Sequence, residues 1–217
     1  ISAQELCDIE NSACPGCGSC SGMFTANSMA CVCEALGIGL PGNGTIPAIS
    51  AARVRLARTA GSRVMDLFKK NLRPRDIVTG KAFANALTLD MALGCSSNTV
   101  LHLLAIANEF DITLDLNIIN EVSKRTPNLC RLRPGGPYFL SELNEIGGIP
   151  AVLKELSKKG LINEKEITAT GKTVGENLKN VKGADGEIIR AVTKPHSKSG
   201  GITVLFGNLA PEGCVVK

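Results

Sequence analysis

The sequence of 217 residues has no tryptophan, one tyrosine and six phenylalanines. With aromatics at 3%, any core is aliphatic, and modules that stack bases on exposed rings are excluded. Neither sign of charge dominates, since 24 Lys and Arg against 20 Asp and Glu leave a net charge of +4. The only dense basic run is Arg53, Arg55, Arg58 and Arg63, whose helical spacing reads as a solvated face rather than a phosphate track. No apolar run approaches the ~18 residues of a membrane span, and no secretory leader is recognisable. Internal repeats and low-complexity tracts are also missing. Nucleic acid and membrane are therefore not expected partners. The first residue is Ile rather than Met, so the natural N-terminus is expected to lie upstream.

What the chain has in quantity is cysteine, nine in all. Disulfide scaffolds are short and loop-rich, whereas this chain reads as long helices and its cysteine count is odd, so a reducing cytoplasm is the expected compartment. The Asn43-Gly44-Thr45 sequon is then a chance match. Hydrophobic residues at 44% and charged residues at 20% provide for a folded core and exclude global disorder. The length suits one large domain or one and a half ordinary ones.

Taken in order, residues 1–13 read as the end of an earlier element and a polar loop. Met23, Ala26, Met29, Ala30, Val32, Cys33 and Leu36 recur at helical spacing up to Gly37. A turn cluster at 39–44 precedes a helix expected from Pro47 to about Lys70, with Ile49, Ala52, Leu56, Ala60, Val64 and Leu67 on its apolar face. Further helices are expected over 79–93, 98–110, 115–125 (capped by Asp115), 141–146, 150–159 and 173–180. Strands are expected at 128–133, 187–192, 202–206 and 214–216. Gly, Lys, Ser and Pro crowd together at 181–199 and mark a domain boundary, after which a β-rich domain opens.

One stretch carries the chemistry: Cys14-Pro-Gly-Cys17-Gly-Ser-Cys20-Ser-Gly-Met-Phe-Thr-Ala-Asn-Ser-Met29. Three thiols at two-residue spacing sit in a glycine loop that runs into a helix, where backbone can wrap closely around a bound group. Such thiols are metal or cluster ligands, or redox groups. The bacterial ferredoxin run needs a fourth cysteine at position 24, which is Phe. A zinc knuckle lacks its second Cys/His pair. Cys31, Cys33, Cys95, Cys130 and Cys214 read as small core residues, His102 as a satisfied core histidine and His196 as a solvated linker residue. Gly171-Lys172-Thr173 fails as a phosphate loop because position 166 is Glu. Gly94-Cys-Ser96-Ser97-Asn98 opens onto a helix N-terminus, and is either a simple cap or a loop for an anionic group.

The stretch 14–29, with Glu34-Ala-Leu-Gly37, Leu40-Pro-Gly42, Ser96-Ser-Asn-Thr-Val-Leu-His-Leu103, Gly147-Gly-Ile-Pro-Ala-Val-Leu-Lys154 and Gly201-Ile-Thr-Val-Leu-Phe-Gly-Asn-Leu-Ala-Pro-Glu-Gly213, resembles the dihydroxy-acid and phosphogluconate dehydratase family. The likeness spans nearly the whole chain and is greatest to the branched-chain amino-acid members. It implies an α/β fold. Residues 1–182 would be the helix-rich part of a three-layer α/β/α N-terminal domain, and 183–217 the linker and first strands of a β-barrel-like C-terminal domain. It also implies a hydro-lyase that takes water from a 2,3-dihydroxy acid to give a 2-oxo acid in valine and isoleucine biosynthesis. The cofactors implied are an iron–sulfur cluster, [2Fe–2S] or [4Fe–4S], and Mg2+, and the implied assembly is a homodimer or larger. Cys20, just before Ser-Gly-Met-Phe-Thr-Ala-Asn, matches the family's third cluster ligand. Cys14 and Cys17 do not fall on a family ligand position and stand as secondary metal candidates. Ser96, Ser97 and Asn98 stand as a candidate substrate loop. The remaining cluster ligands, the magnesium ligands and the serine base would lie outside the chain. A sugar-acid dehydratase is the alternative within the family, and an iron–sulfur electron carrier or a structural zinc module the alternatives outside it.

Overall fold

The computed structural model describes residues 1–13, 16–18 and 20–217. Ten helices and one hairpin are found among them. In chain order the helices are α1 (Ala3–Ser12), α2 (Thr25–Ala35), α3 (Ala51–Lys69), α4 (Pro74–Ile77), α5 (Gly80–Leu93), α6 (Asn98–Glu109), α7 (Leu116–Arg125), α8 (Leu140–Glu145), α9 (Gly148–Ser157) and α10 (Val174–Leu178). The strands are β1 (Thr203–Gly207) and β2 (Ala210–Val216). Mixed helix with a small antiparallel sheet is consistent with the α/β class.

The core is organised around α5, which is buried on every side from Ala82 to Leu93 apart from Ala84. Its sequence is apolar almost all round, as a helix with no solvent face requires. Thr79 caps its start by accepting the Ala82 N–H at 3.1 Å, and Gly94 ends it in the left-handed conformation at φ 60°. Helices α2, α7 and α9 pack on α5, and α6 packs on α2. Phe83, Leu87, Leu89, Met91 and Leu93 meet Val32, Leu36, Leu103, Ile119, Ile149 and Val152 in one aliphatic cluster.

Two strands alone do not make a stable sheet. Here α7 supplies what the hairpin lacks. Asn120 Nδ2 donates to the Val204 carbonyl at 2.8 Å, and Asn120 Oδ1 accepts the Val204 N–H at 2.7 Å. The amide side chain thus satisfies both backbone groups of an edge residue, as a neighbouring strand would. The hairpin pairs Thr203 with Val216 and Leu205 with Cys214, with an irregularity before Gly207.

Several expectations are corrected. Residues 3–12 form a helix, because Ser2 and Glu5 make a reciprocal cap: Glu5 N–H donates to Ser2 Oγ and Ser2 N–H to Glu5 Oε2. Helix α3 starts at Ala51 rather than Pro47, and none of its residues is fully buried; Ile49 and Val64 are exposed. The segments 128–133 and 187–192 are not strands. The first has isolated bridges only, at Asn128 and Leu132, and the second is largely bends; Leu129 donates to the Ala92 carbonyl and Arg190 to that of Leu129. Helix α4 was not foreseen; Pro74 opens it as its first residue. No helix among the described residues is long and apolar enough to cross a membrane.

A candidate metal centre before helix α2

The segment that enters α2 is fastened on three sides. Leu140 N–H donates to the Ser21 carbonyl at 3.0 Å, and Met23 N–H donates to the Arg133 carbonyl at 2.6 Å. Asn27, in the first turns of α2 and buried, donates from Nδ2 to the Gly22 carbonyl at 2.7 Å and also to the Cys20 carbonyl. Cys20 itself is exposed, with a free thiol. It lines a cleft of about 530 Å³, together with Cys17, whose thiol is also free and exposed. Cys14 lies outside the described residues.

Across the cleft stands the loop that follows α2. Glu34, in the last turn of α2, is buried; its Oε1 accepts the Gly42 N–H and its Oε2 the Gly44 N–H, each at 2.8 Å. Gly42 has φ +88°, and a Cβ at Gly44 would stand 2.8 Å from Cys31 Cα, so the loop lies directly on the helix backbone. Burial pushes the Glu34 carboxyl up to about 7, against the opposing pull of the Gly44 and Gly42 N–H groups and Arg53. On the loop's other side, Arg53 of α3 donates to Asn43 Oδ1 at 2.9 Å, to the Asn43 carbonyl at 3.1 Å and to the Ile46 carbonyl. Thr45 Oγ1 donates to Asn144 Oδ1 of α8 at 2.9 Å.

The Ser96–Asn98 turn docks on the start of α2. Ser96 N–H donates to Ser28 Oγ at 2.9 Å and Asn98 Nδ2 to Thr25 Oγ1 at 2.8 Å, while Ser97, exposed, makes no side-chain cap. The N-termini of α2 and α6 are thereby joined. Beneath them, Asp90 is fully buried and accepts from Thr99 Oγ1 at 2.9 Å through Oδ2, while Oδ1 has no hydrogen-bond partner among the described residues. Burial pushes its carboxyl up to about 7.

The other cysteines divide by burial. Cys31, Cys95 and Cys130 are buried, and desolvation holds all three thiols well above the usual range, which keeps them protonated and unreactive. Cys33 is half-buried, and Cys214 is exposed on β2 rather than in the core. His102 is exposed on α6, not a core histidine. His196 is half-buried rather than solvated; its backbone N–H donates to the Asn128 carbonyl, and burial with Arg131 and Arg190 nearby lowers the pKa of its ring. Among the described residues no three His, Cys, Asp or Glu side chains converge as a metal-holding group. The described part of the cleft therefore offers a metal group two free and accessible thiols, Cys17 and Cys20, and does not enclose it. The anchors Asn27, Glu34 and Arg53 were not singled out by sequence, although the glycines at 39, 42 and 44 announce a close backbone approach.

A family model described as dihydroxy-acid/6-phosphogluconate dehydratase N-terminal matches residues 1–177, and the corresponding C-terminal model matches 187–217. The chain is 60% identical over all 217 residues to the dihydroxy-acid dehydratase of Carboxydothermus hydrogenoformans. It is 58% identical over 217 residues to that of Syntrophobacter fumaroxidans and 59% over 219 to that of Solidesulfovibrio magneticus. In each case the whole chain is covered and 39% of the relative. The chain thus spans about two fifths of the length of the curated relatives it matches. Both matched models name one family, and the chain belongs to it: the dihydroxy-acid/6-phosphogluconate dehydratases.

Proposed function

We propose that the chain supplies part of the active site of a dihydroxy-acid dehydratase, a hydro-lyase of branched-chain amino-acid biosynthesis, and that Cys20 is a ligand of its iron–sulfur cluster. The observation that carries this reading is the placement of Cys20: a free, exposed thiol lining a cleft, on backbone that Asn27 fixes to the start of α2. Its other elements follow the family likeness. They are a cytoplasmic homodimer or larger assembly, Mg2+ held by residues outside this chain, and a division at 182/183 between a three-layer α/β/α domain and a β-barrel-like one. The cluster is [2Fe–2S] or [4Fe–4S].

The reaction removes the 3-hydroxyl and the C2 proton of a 2,3-dihydroxy acid as water, and the enol left behind takes up a proton at C3 to become the 2-oxo acid. When bound, an iron–sulfur cluster with an open iron supplies Lewis acidity for the departing hydroxyl, which is otherwise a poor leaving group. This chain's own residues hold and orient. Cys20 ligates, Asn27 keeps its backbone from swinging, and Gly18 and Gly22 let that backbone lie close against Ala48 and the Arg133 carbonyl. The Ser96–Asn98 turn, tied to Thr25 at the same helix end, is the candidate for holding the substrate carboxylate, although it does not itself line the cleft. No catalytic base is assigned within the chain.

The test is Cys20→Ser in the intact protein, purified anaerobically, with iron and activity on 2,3-dihydroxy-3-methylbutanoate measured together. Loss of both is expected; iron retained at wild-type content sinks the assignment. Cys17→Ser, and Cys14→Ser beside it, are expected to keep the iron, and a loss in either would make that cysteine a ligand. The 217-residue chain alone is expected neither to hold a full cluster nor to turn over substrate.

A further inference from the structure

Asn27 and Glu34 are seven residues apart on α2, so they share a face about 10 Å apart along the axis. Each grips one wall of the same cleft. Asn27 holds the Cys20 and Gly22 carbonyls, and Glu34 holds the loop that brings Asn43, Gly44 and Thr45 to the cleft. The loop cannot drift from α2, because Gly44 is in contact with Cys31 and Gly39 with the backbone of Glu34. It cannot roll either, because Arg53 fixes Asn43 and Ile46 from outside and Thr45 is bonded to Asn144. Arg53 occupies Asn43 Oδ1, which leaves Nδ2 as the amide's donor at a position that lines the cleft.

We infer that Glu34 is a positioning residue for substrate: through the Gly42 and Gly44 N–H groups it sets the wall opposite Cys20, and the Asn43 amide is the donor that this wall offers to an oxygen of a hydroxy acid. This rests on the dehydratase reading above. A carboxylate accepts both N–H groups at once, whereas a protonated carboxyl turns one oxygen into a donor and releases one of them. The charged groups facing Glu34 are Arg53 from α3 and, along its own helix, the buried Cys31 thiol; the remaining neighbours around Gly39, Pro41, Pro150, Thr168 and Asn177 carry no charge. The wall is therefore held above about pH 7 and loosened below it.

The experiment uses the intact, iron-loaded enzyme with 2,3-dihydroxy-3-methylbutanoate, following kcat and KM across about pH 6 to 9. Glu34→Gln is expected to keep wild-type iron and visible absorbance and to raise KM about tenfold at pH 8, the effect of one charge-assisted hydrogen bond. It should also abolish the fall in kcat/KM that the wild type shows as pH drops through 7. Should Glu34→Gln fail to fold, Arg53→Met loosens the same loop from the solvent side and is expected to raise KM while iron is retained. Wild-type KM and pH profile in the folded Gln variant, or wild-type KM in Arg53→Met, overturns the inference. Failure of the underlying reading has a different signature, namely iron unchanged in Cys20→Ser.

Discussion

Helices α2 and α3 clasp one loop from opposite sides, and they do so by opposite means. Helix α2 has Asn27, Ser28, Cys31, Val32, Glu34 and Ala35 buried, and its grip on the loop is a desolvated carboxylate. Helix α3 is longer, 19 residues against 11, and buries none; its grip is a guanidinium at the protein surface. The difference teaches where a site's rigidity comes from. A hydrogen bond from the core side is fixed by the packing around it and carries the strength of a low-dielectric setting. One from the surface side is braced by nothing but its own geometry and is screened by water.

The comparison breaks most visibly in side-chain truncation. Leu36, which caps α2 and is fully buried, is expected to cost about 3–5 kcal/mol as Leu36→Ala, since a cavity is left in packed surroundings. Leu56→Ala, at a half-buried position of α3, should cost about 1 kcal/mol, because water fills the space. Denaturant unfolding of the intact protein measures both. Equal losses would mean that the two helices are buried alike.

A second effect, nearly as large, separates the two grips by pH. Glu34 is raised from an ordinary 4.5 to about 7, so the folded chain binds its proton more tightly than the unfolded one. Stability from this group is therefore full below about pH 4.5 and declines as pH rises through 7, by up to about 3 kcal/mol. Glu34→Gln should remove that slope and gain stability relative to the wild type above pH 7. Arg53→Met should lower stability by about 1 kcal/mol and leave a slope steeper than the wild type's, because the lost guanidinium no longer pulls the Glu34 carboxyl down. A wild-type stability that rises from pH 5 to 8 across this step would show Glu34 to be ionised without penalty. The carboxylate form that holds the cleft wall is the form that the core resists, an expected tension at a site where geometry is set against stability.

Much of this was legible in the sequence because it depends on spacing. The all-round apolar pattern of 79–93 locates α5, Asp115 marks the start of α7, and the thiols before Met23 mark the cleft. What was not legible depends on which side of an element meets another. Arg53, Arg55, Arg58 and Arg63 look alike as a run, yet only contact with 43–46 distinguishes Arg53 from Arg55 and Arg58, which face water. Glu34 reads as an ordinary helical glutamate until the glycines at 42 and 44 are seen to lie against it. The segments at 128–133 and 187–192 have strand-like composition, but their backbone partners include Ala92, Leu129, Ser197 and the Asp185 and Glu155 carboxylates rather than neighbouring strands. Periodicity reports burial along one element and carries no record of its partners.

The smallest expected effect is the sharpest test of α3. Val64, Met65 and Phe68 are exposed on its last turns, Phe68 at 78%. Truncating an exposed side chain forfeits little burial, and serine is about equal to phenylalanine and valine as a helix residue, so Val64→Ser and Phe68→Ser should each stay within about 0.5 kcal/mol of wild type. Thermal unfolding of the intact protein reads this directly. A loss of several degrees in either variant would mean that this face of α3 is covered in the assembled protein. In that event the contrast with α2 would belong to the 217 residues alone, and Arg53 would brace the cleft from a second interior rather than from the surface.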